Sequence, residues 1–252
     1  MSVFLKYILP LLWFYILWLP LNTIGQSSNL KFKHITSEQG LSNSTIESIL
    51  QDHMGFMWFG TRDGLDRYDG NQMVVYRYDP KDSTSISDNY IRYIYEDKNN
   101  TLWIGTLNGL DRFDYNKNSF TRYKHRSGNT GSLSNNIVDG ICEDKQGNLW
   151  ISTFGGGINL FRPGLQDFFH YRHDPGNPKS LSDDRVNCLY EDNENNFWVG
   201  TENGINLFDR ETGSFKVFQN TANADNGKTD KGITVIKQDK EGNLWLGTED
   251  NG

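Results

Sequence analysis

Asp144-Lys145-Gln146-Gly147-Asn148-Leu149-Trp150-Ile151-Ser152-Thr153 decides the fold, because it recurs. Drifted copies run from Asp52 to Thr61, Asp97 to Thr106, Asp192 to Thr201 and Asp239 to Thr248. In all five the aspartate stands six positions before the tryptophan. Trp58, Trp103, Trp150, Trp198 and Trp245 are separated by 45, 47, 48 and 47 residues. A fixed period in the forties marks a repeat architecture.

Outward from the motif, each period reads as four short strands. A Leu/Ile-Ser pair opens it: Leu41-Ser42, Ile86-Ser87, Leu133-Ser134 and Leu181-Ser182. A β-branched or aromatic run follows, such as Ile91 to Tyr95 or Val186 to Tyr190, too short for a helix. Next comes the Asp-x-x-Gly/Asn turn, where aspartate can hold the backbone amides and Gly or Asn tolerates the left-handed conformation. The second strand carries the tryptophan, then a small residue (Gly60, Gly105, Ser152, Gly200, Gly247). The third alternates, as in Leu110-Asp111-Arg112-Phe113, so one face is buried. A fourth runs over Met73 to Tyr78, Phe120 to His125, Phe168 to His173 and Phe215 to Phe218.

Four antiparallel strands per period describe a β-propeller blade. Helix-pair repeats of similar length are disfavoured, since a 3.6-residue periodicity is missing and glycine-bearing turns recur. The sequence therefore predicts an all-β chain with blades near 41–85, 86–132, 133–180 and 181–231, and a fifth begun at 232–252. The tryptophan is expected between neighbouring blades, and the small residue after it where strands approach closely. Lys31 to Thr36 reads as a lone strand. About four and a half blades do not close a ring, so the expected parent is a longer protein.

Residues 7–21 form an uncharged apolar run behind Lys6, broken by Pro10 and Pro20. Its length suits the apolar core of a secretory signal over 1–26 better than a membrane span, which wants about 20 residues. An uncleaved anchor is the alternative; either implies export. A net charge of −7 argues against a nucleic-acid footprint. Cys142 and Cys188 fall in neighbouring repeats and are expected as free thiols rather than a disulfide.

The pattern Asp-x-x-Gly-x-Leu-Trp-Ile/Val/Leu-Gly-Thr-x-x-Gly-Leu/Ile-Asp/Asn-x-Phe/Tyr resembles the propeller repeats of two-component regulators. His34-Ile35-Thr36-Ser37-Glu38-Gln39-Gly40-Leu41-Ser42 and the linker Tyr171 to Ser182 resemble the same family. The resemblance spans residues 30–252. It implies a periplasmic sensor whose propellers precede an immunoglobulin-like domain, a membrane helix and a histidine kinase. It further implies an oligosaccharide ligand, a homodimeric parent anchored in the inner membrane, and no enzymatic activity in this region.

The repeated aspartates, Asp52, Asp97, Asp144, Asp192 and Asp239, lack the alternating oxygen ligands of a calcium loop and read as turn formers. Gly155-Gly156-Gly157 lacks the Lys-Ser/Thr ending of a phosphate loop and reads as turn flexibility. The histidines do not converge as metal ligands, so neither a metal nor a cofactor is expected. Carbohydrate recognition uses aromatic platforms with planar polar groups. Two sets of loop residues offer these: Arg62, Asp63, Asn108, Glu202 and Asn203 after the tryptophan strand, and Tyr78, His125, Arg126 and His173 between blades. The competing reading is ordinary solvated loop residues. Sequence leaves open whether the two sets share a face.

Three function classes compete. A sensor region binding an oligosaccharide predicts a downstream kinase. A secreted lyase or quinone-dependent dehydrogenase predicts a catalytic cluster that departs from the repeat. A scaffold predicts neither. Fold alone does not separate them.

Overall fold

The computed structural model describes residues 32, 34–218 and 232–249. The expected signal at 1–26 lies outside them. Among the described residues, all regular structure falls in one compact unit that begins at Ile35.

Four sheets follow one another, each a four-stranded antiparallel meander. The first comprises β1 (Ile46–Gln51), β2 (Met57–Thr61), β3 (Leu65–Tyr68) and β4 (Met73–Tyr76). The second comprises β5 (Ile91–Glu96), β6 (Leu102–Thr106), β7 (Gly109–Asp114) and β8 (Ser119–Tyr123). The third comprises β9 (Val138–Glu143), β10 (Leu149–Thr153), β11 (Gly157–Arg162) and β12 (Asp167–Tyr171). The fourth comprises β13 (Val186–Glu191), β14 (Phe197–Thr201), β15 (Gly204–Asp209) and β16 (Ser214–Phe218). A fifth sheet has two described strands, β17 (Ile233–Gln238) and β18 (Leu244–Thr248). First strands pack on first strands in succession, β1 to β5 to β9 to β13 to β17, so they line the axis. This is the blade architecture of a propeller.

The repeated aspartate performs two tasks. Its Oδ1 accepts backbone N–H groups of the turn, as Asp97 does from Asn99 and Thr101 at 2.9 Å each. Its Oδ2 accepts the indole N–H of the tryptophan six residues on, at 2.7 to 2.9 Å in all five copies. The turn closes through a left-handed residue, Gly55, Asn100, Gly147, Asn195 or Gly242.

The indole then packs outward onto the next blade. Trp58 meets Phe113 edge-on at 5.2 Å, Trp103 meets Phe161 at 5.1 Å and Trp150 meets Phe208 at 5.1 Å. Each of the first three blade boundaries is thus an aromatic core of its own. Close approach follows from the small residue. A Cβ on Gly105 would lie 2.7 Å from Val138 Cγ1, and one on Gly60 2.8 Å from Ile91 Cγ2. The third blade has Ser152 there, and its cross-strand partner is Gly140, so the missing volume has moved to the neighbouring strand.

A second polar knot ties each blade shut. Ser42 Oγ lies 2.7 Å from Thr61 Oγ1 and donates to Asp66 Oδ2 at 2.8 Å. Ser87, Thr106 and Asp111 repeat this arrangement. In the third and fourth blades the acid is replaced by Asn159 and Asn206, which accept from the backbone N–H of Ser134 and Ser182. The opening serine of each repeat is therefore a blade latch.

Two expectations need correction. Phe32 and residues 34–36 are not strand, and the latter lead into a single 3-10 turn, Ser37–Gln39, closed by a Thr36–Gln39 capping box; Lys31 and Lys33 of the expected lone strand lie outside the described residues. The fourth strands of the first three blades stop two residues early, at Tyr76, Tyr123 and Tyr171, whereas that of the fourth blade ends at Phe218 as expected. Tyr78, His125 and His173 give their backbone N–H to Asn89, Asn136 and Asp184, which turns the chain into the linker. Cys142 and Cys188 are free, and burial raises their thiols to about 11 and about 12.

Candidate functional site

An antiparallel meander sends alternate connections to opposite ends. The turn after the tryptophan strand and the linker to the next blade therefore share one end of the axis. Arg77 Nε donates to Asp63 O at 3.0 Å, and Asn108 and Asn203 reach the carbonyls of Ser87 and Ser182. The two sets of candidate residues belong to one face.

At that face every inner strand carries a β-bulge. The register shifts between Ile46 and Ser48, Ile91 and Tyr93, Val138 and Gly140, Val186 and Cys188, and Ile233 and Val235. The extra residue has no cross-strand partner, and a bulge re-aims its side chain. Those residues are Glu47, Arg92, Asp139, Asn187 and Thr234. One structural position thus displays five different polar side chains around the axis.

They form a mixed-charge rim. Glu47 Oε1 accepts from Arg62 Nε at 2.7 Å and from the Tyr90 hydroxyl at 2.8 Å. The Arg62 guanidinium also lies over the Tyr90 ring, 5.5 Å from its centre. These partners hold the Glu47 carboxyl below its ordinary range, the Arg62 hydrogen bond foremost. Arg92 pairs with Asp139 at 2.7 Å. Burial nevertheless pushes the Asp139 carboxyl above its ordinary range, with Arg92 opposing. Asn187 Nδ2 donates to Glu202 Oε1 at 3.0 Å. Beneath the rim, a cavity of about 250 Å³ opens between the inner strands, lined by Tyr93, Asp139, Asn187, Cys188 and Thr234 among others.

The candidates distribute unevenly. Arg62 and Glu202 join the rim directly. Asp63 sits beside it, paired with Arg77 at 3.1 Å. Asn108 and Asn203 close their own turns, each giving its backbone N–H to the preceding threonine hydroxyl. Tyr78 stands in the linker with the Arg122 guanidinium 5.3 Å from its ring centre. His125 and His173 use Nδ1 on the carbonyls of Leu133 and Leu181, both at 2.7 Å, so they pin the linkers. Arg126 borders a separate outer cavity with Lys124 and Asp167. The bulge residues were missed because a bulge is a property of register. The available signal was a polar, variable second residue in an otherwise apolar strand.

Gly156 and Gly157 have a structural reason. A Cβ on either would fall within 2.6 Å of neighbouring atoms, including Ser134 Oγ and Tyr171 O. Among the described residues, no group of three or more His, Cys, Asp or Glu side chains is placed to hold a metal ion. No helix among them is long and apolar enough to cross a membrane.

The two-component regulator propeller model matches residues 40–63, 85–108, 131–155, 180–203 and 227–250. By these repeats the chain belongs to the two-component regulator propeller family. It is 51% identical over 63 residues to Histidine kinase P4 of Formosa agariphila, across 25% of this chain and 5% of that protein. It is similar to the extracellular domain of a protein described as the hybrid two component system BT3049 from B. thetaiotaomicron. That match has 30% identity and a TM-score of 0.58 over 87% of this chain and 34% of that one. The extracellular domain described for BT4673 of the same organism matches with 31% identity and a TM-score of 0.64, over 81% and 28%. The chain thus spans about a third or less of each of these relatives.

Proposed function

We propose that this chain is part of the extracytoplasmic sensor region of a membrane-anchored two-component signalling protein. On this reading it recognises an oligosaccharide at the axial rim and passes the signal to a histidine kinase elsewhere in the parent. The observation that carries the reading is the bulge position, which presents Glu47, Arg92, Asp139, Asn187 and Thr234 from five equivalent strands. A purely structural position in a repeat tends toward one residue type, as the five tryptophans do. A recognition position diversifies.

The chemistry suits a neutral, hydroxyl-rich ligand. Carboxylates and amides accept from sugar hydroxyls, guanidinium groups donate to them, and Tyr90 offers an apolar ring edge beside Arg62. The extracellular placement of the relatives supports export. Titration calorimetry of the full chain against a panel of oligosaccharides tests the reading. Saturable binding of one glycan class supports it, and silence across the panel favours a scaffold.

A further inference from the structure

The opposite end of the blades carries a second, independent construction. There, the glutamate ending β5, β9 and β13 accepts a backbone N–H from the aspartate turn of the preceding blade. His53 N donates to Glu96 at 2.9 Å, Lys98 N to Glu143 at 2.8 Å and Lys145 N to Glu191 at 2.6 Å. A third residue, two positions after the phenylalanine of the third strand, then closes the boundary. Between the first and second blades it is Tyr115, whose hydroxyl donates to Asp52 Oδ2 at 2.9 Å and to Glu96 Oε1 at 3.5 Å. Between the third and fourth it is Arg210, which donates to Asp144 Oδ2 at 2.6 Å and to Glu191 Oε1 at 2.7 Å. Between the second and third, the same position is Pro163, which has no donor to give.

A cavity of about 220 Å³ occupies that boundary, bordered by Asp97, Trp103, Arg112, Glu143, Phe161 and Pro163. Asp97 Oδ2 retains its Trp103 N–H and Glu143 Oε2 its Lys98 N–H, so each carboxylate is held in the position its counterparts adopt around Arg210. Arg112 sets one positive charge against the two negative ones. The space is below the ~300–1,000 Å³ of drug-sized sites, and suits a ligand the size of a side chain.

We propose that this cavity binds a small organic cation bearing a guanidinium group, held by Asp97 and Glu143 as Asp144 and Glu191 hold Arg210. The planar fork of a guanidinium matches two carboxylates, and an aromatic wall favours it over an ammonium. The Arg210 carbon lies 5.7 Å from the Phe197 ring centre; in this cavity Leu149 stands in the place of Phe197, and the aromatic lining comes from Trp103 and Phe161.

Agmatine is the probe, titrated into the full chain and followed by saturation-transfer NMR and tryptophan fluorescence. Pro163→Arg supplies the chain's own guanidinium from a backbone position that already carries arginine in the fourth blade. Saturable agmatine binding to the wild type, weakened by about tenfold or more in Pro163→Arg, is the expected result. Putrescine, with ammonium groups alone, should bind more weakly than agmatine. Equal binding to both proteins, or no saturation with the wild type, overturns the proposal. Should Pro163→Arg not fold, Glu143→Gln makes the same decision: weaker binding supports the site and unchanged binding overturns it.

Discussion

The indole N–H of Trp58 donates to Asp52 Oδ2 at 2.7 Å, and both side chains are buried. The same pair at the far end, Trp245 and Asp239, has the same geometry at 2.8 Å, but there Trp245 is 66% exposed. Removing an acceptor strands a donor only where water is absent. Asp52→Ala is expected to lower unfolding stability by about 1–3 kcal/mol, and Asp239→Ala by much less. Urea midpoints of the two variants measure the difference. Asp52 also receives the Tyr115 hydroxyl, which adds to its loss.

The latch acids predict an unusual pH response. Asp111 Oδ2 accepts from Ser87, but its Oδ1 is buried without a partner. In the next blade Asn159 uses Nδ2 from the equivalent place to donate to Ile151 O at 3.1 Å. A protonated Asp111 can make that donation to Ile104, its cross-strand partner. Burial raises its carboxyl to about 7, and Asp66 is raised for the same reason. A raised folded-state value means stability that is fully present below about pH 4 and lost as pH rises through about 7. Melting temperatures from pH 5 to 8 should fall for the wild type. They should fall less for Asp111→Asn, which should be the more stable protein at pH 8.

Acid weakens a different set. Burial raises the Asp144 carboxyl, but hydrogen bonds from Trp150, Asn148 and Arg210 outweigh it and hold the group below its ordinary range. Asp192 is lowered in the same way through Trp198 and Asn196. A lowered folded-state value gives stability that is present above the ordinary carboxylate range and lost as pH falls through the folded value. Stability should therefore peak in mildly acidic solution, between the loss from the turn aspartates and the loss from the latch aspartates. A pH series of thermal melts locates the maximum.

Close packing of blades predicts a matched pair of variants. Gly105→Ala drives a methyl toward Val138 and should destabilise by about 1–3 kcal/mol. Val138→Ala in the same chain should recover part of that loss. Gly140→Ala should be damaging as well, since its Cβ would lie 2.9 Å from Ser152 Oγ. A Ser152→Gly change should relieve it. Double-mutant cycles read the coupling directly.

The fold was legible because a fixed period forces one answer on every copy of Asp-x-x-Gly-x-Leu-Trp. The turn chemistry at Gly55, Asn100 and Gly147 followed from residue type alone. Partnerships across the repeat were not legible. The aspartate is six residues from its tryptophan in sequence, but it is the folded turn that sets Oδ1 on the backbone amides and Oδ2 on the indole. Ser42, Thr61 and Asp66 are scattered in the chain and meet only when the blade forms. At the rim, Arg62 and Glu202 could be found as variable turn residues. Glu47, Arg92 and Asp139 showed only as polar, variable second residues of apolar strands, because their exposure to the axis depends on a bulge. His125 and His173 are exposed loop side chains, as their sequence position suggests, and they also pin the linkers.

Recognition at the axial rim is tested by calorimetry with the best-binding oligosaccharide and two variants of the full chain. Arg92→Ala removes a rim donor that pairs with Asp139, whereas Pro163→Arg alters the opposite end of the blades. Arg92→Ala is expected to weaken glycan binding by about tenfold or more. Pro163→Arg is expected to leave glycan affinity unchanged. Undiminished binding to Arg92→Ala, or a loss in Pro163→Arg alone, would contradict the placement of the ligand at this rim.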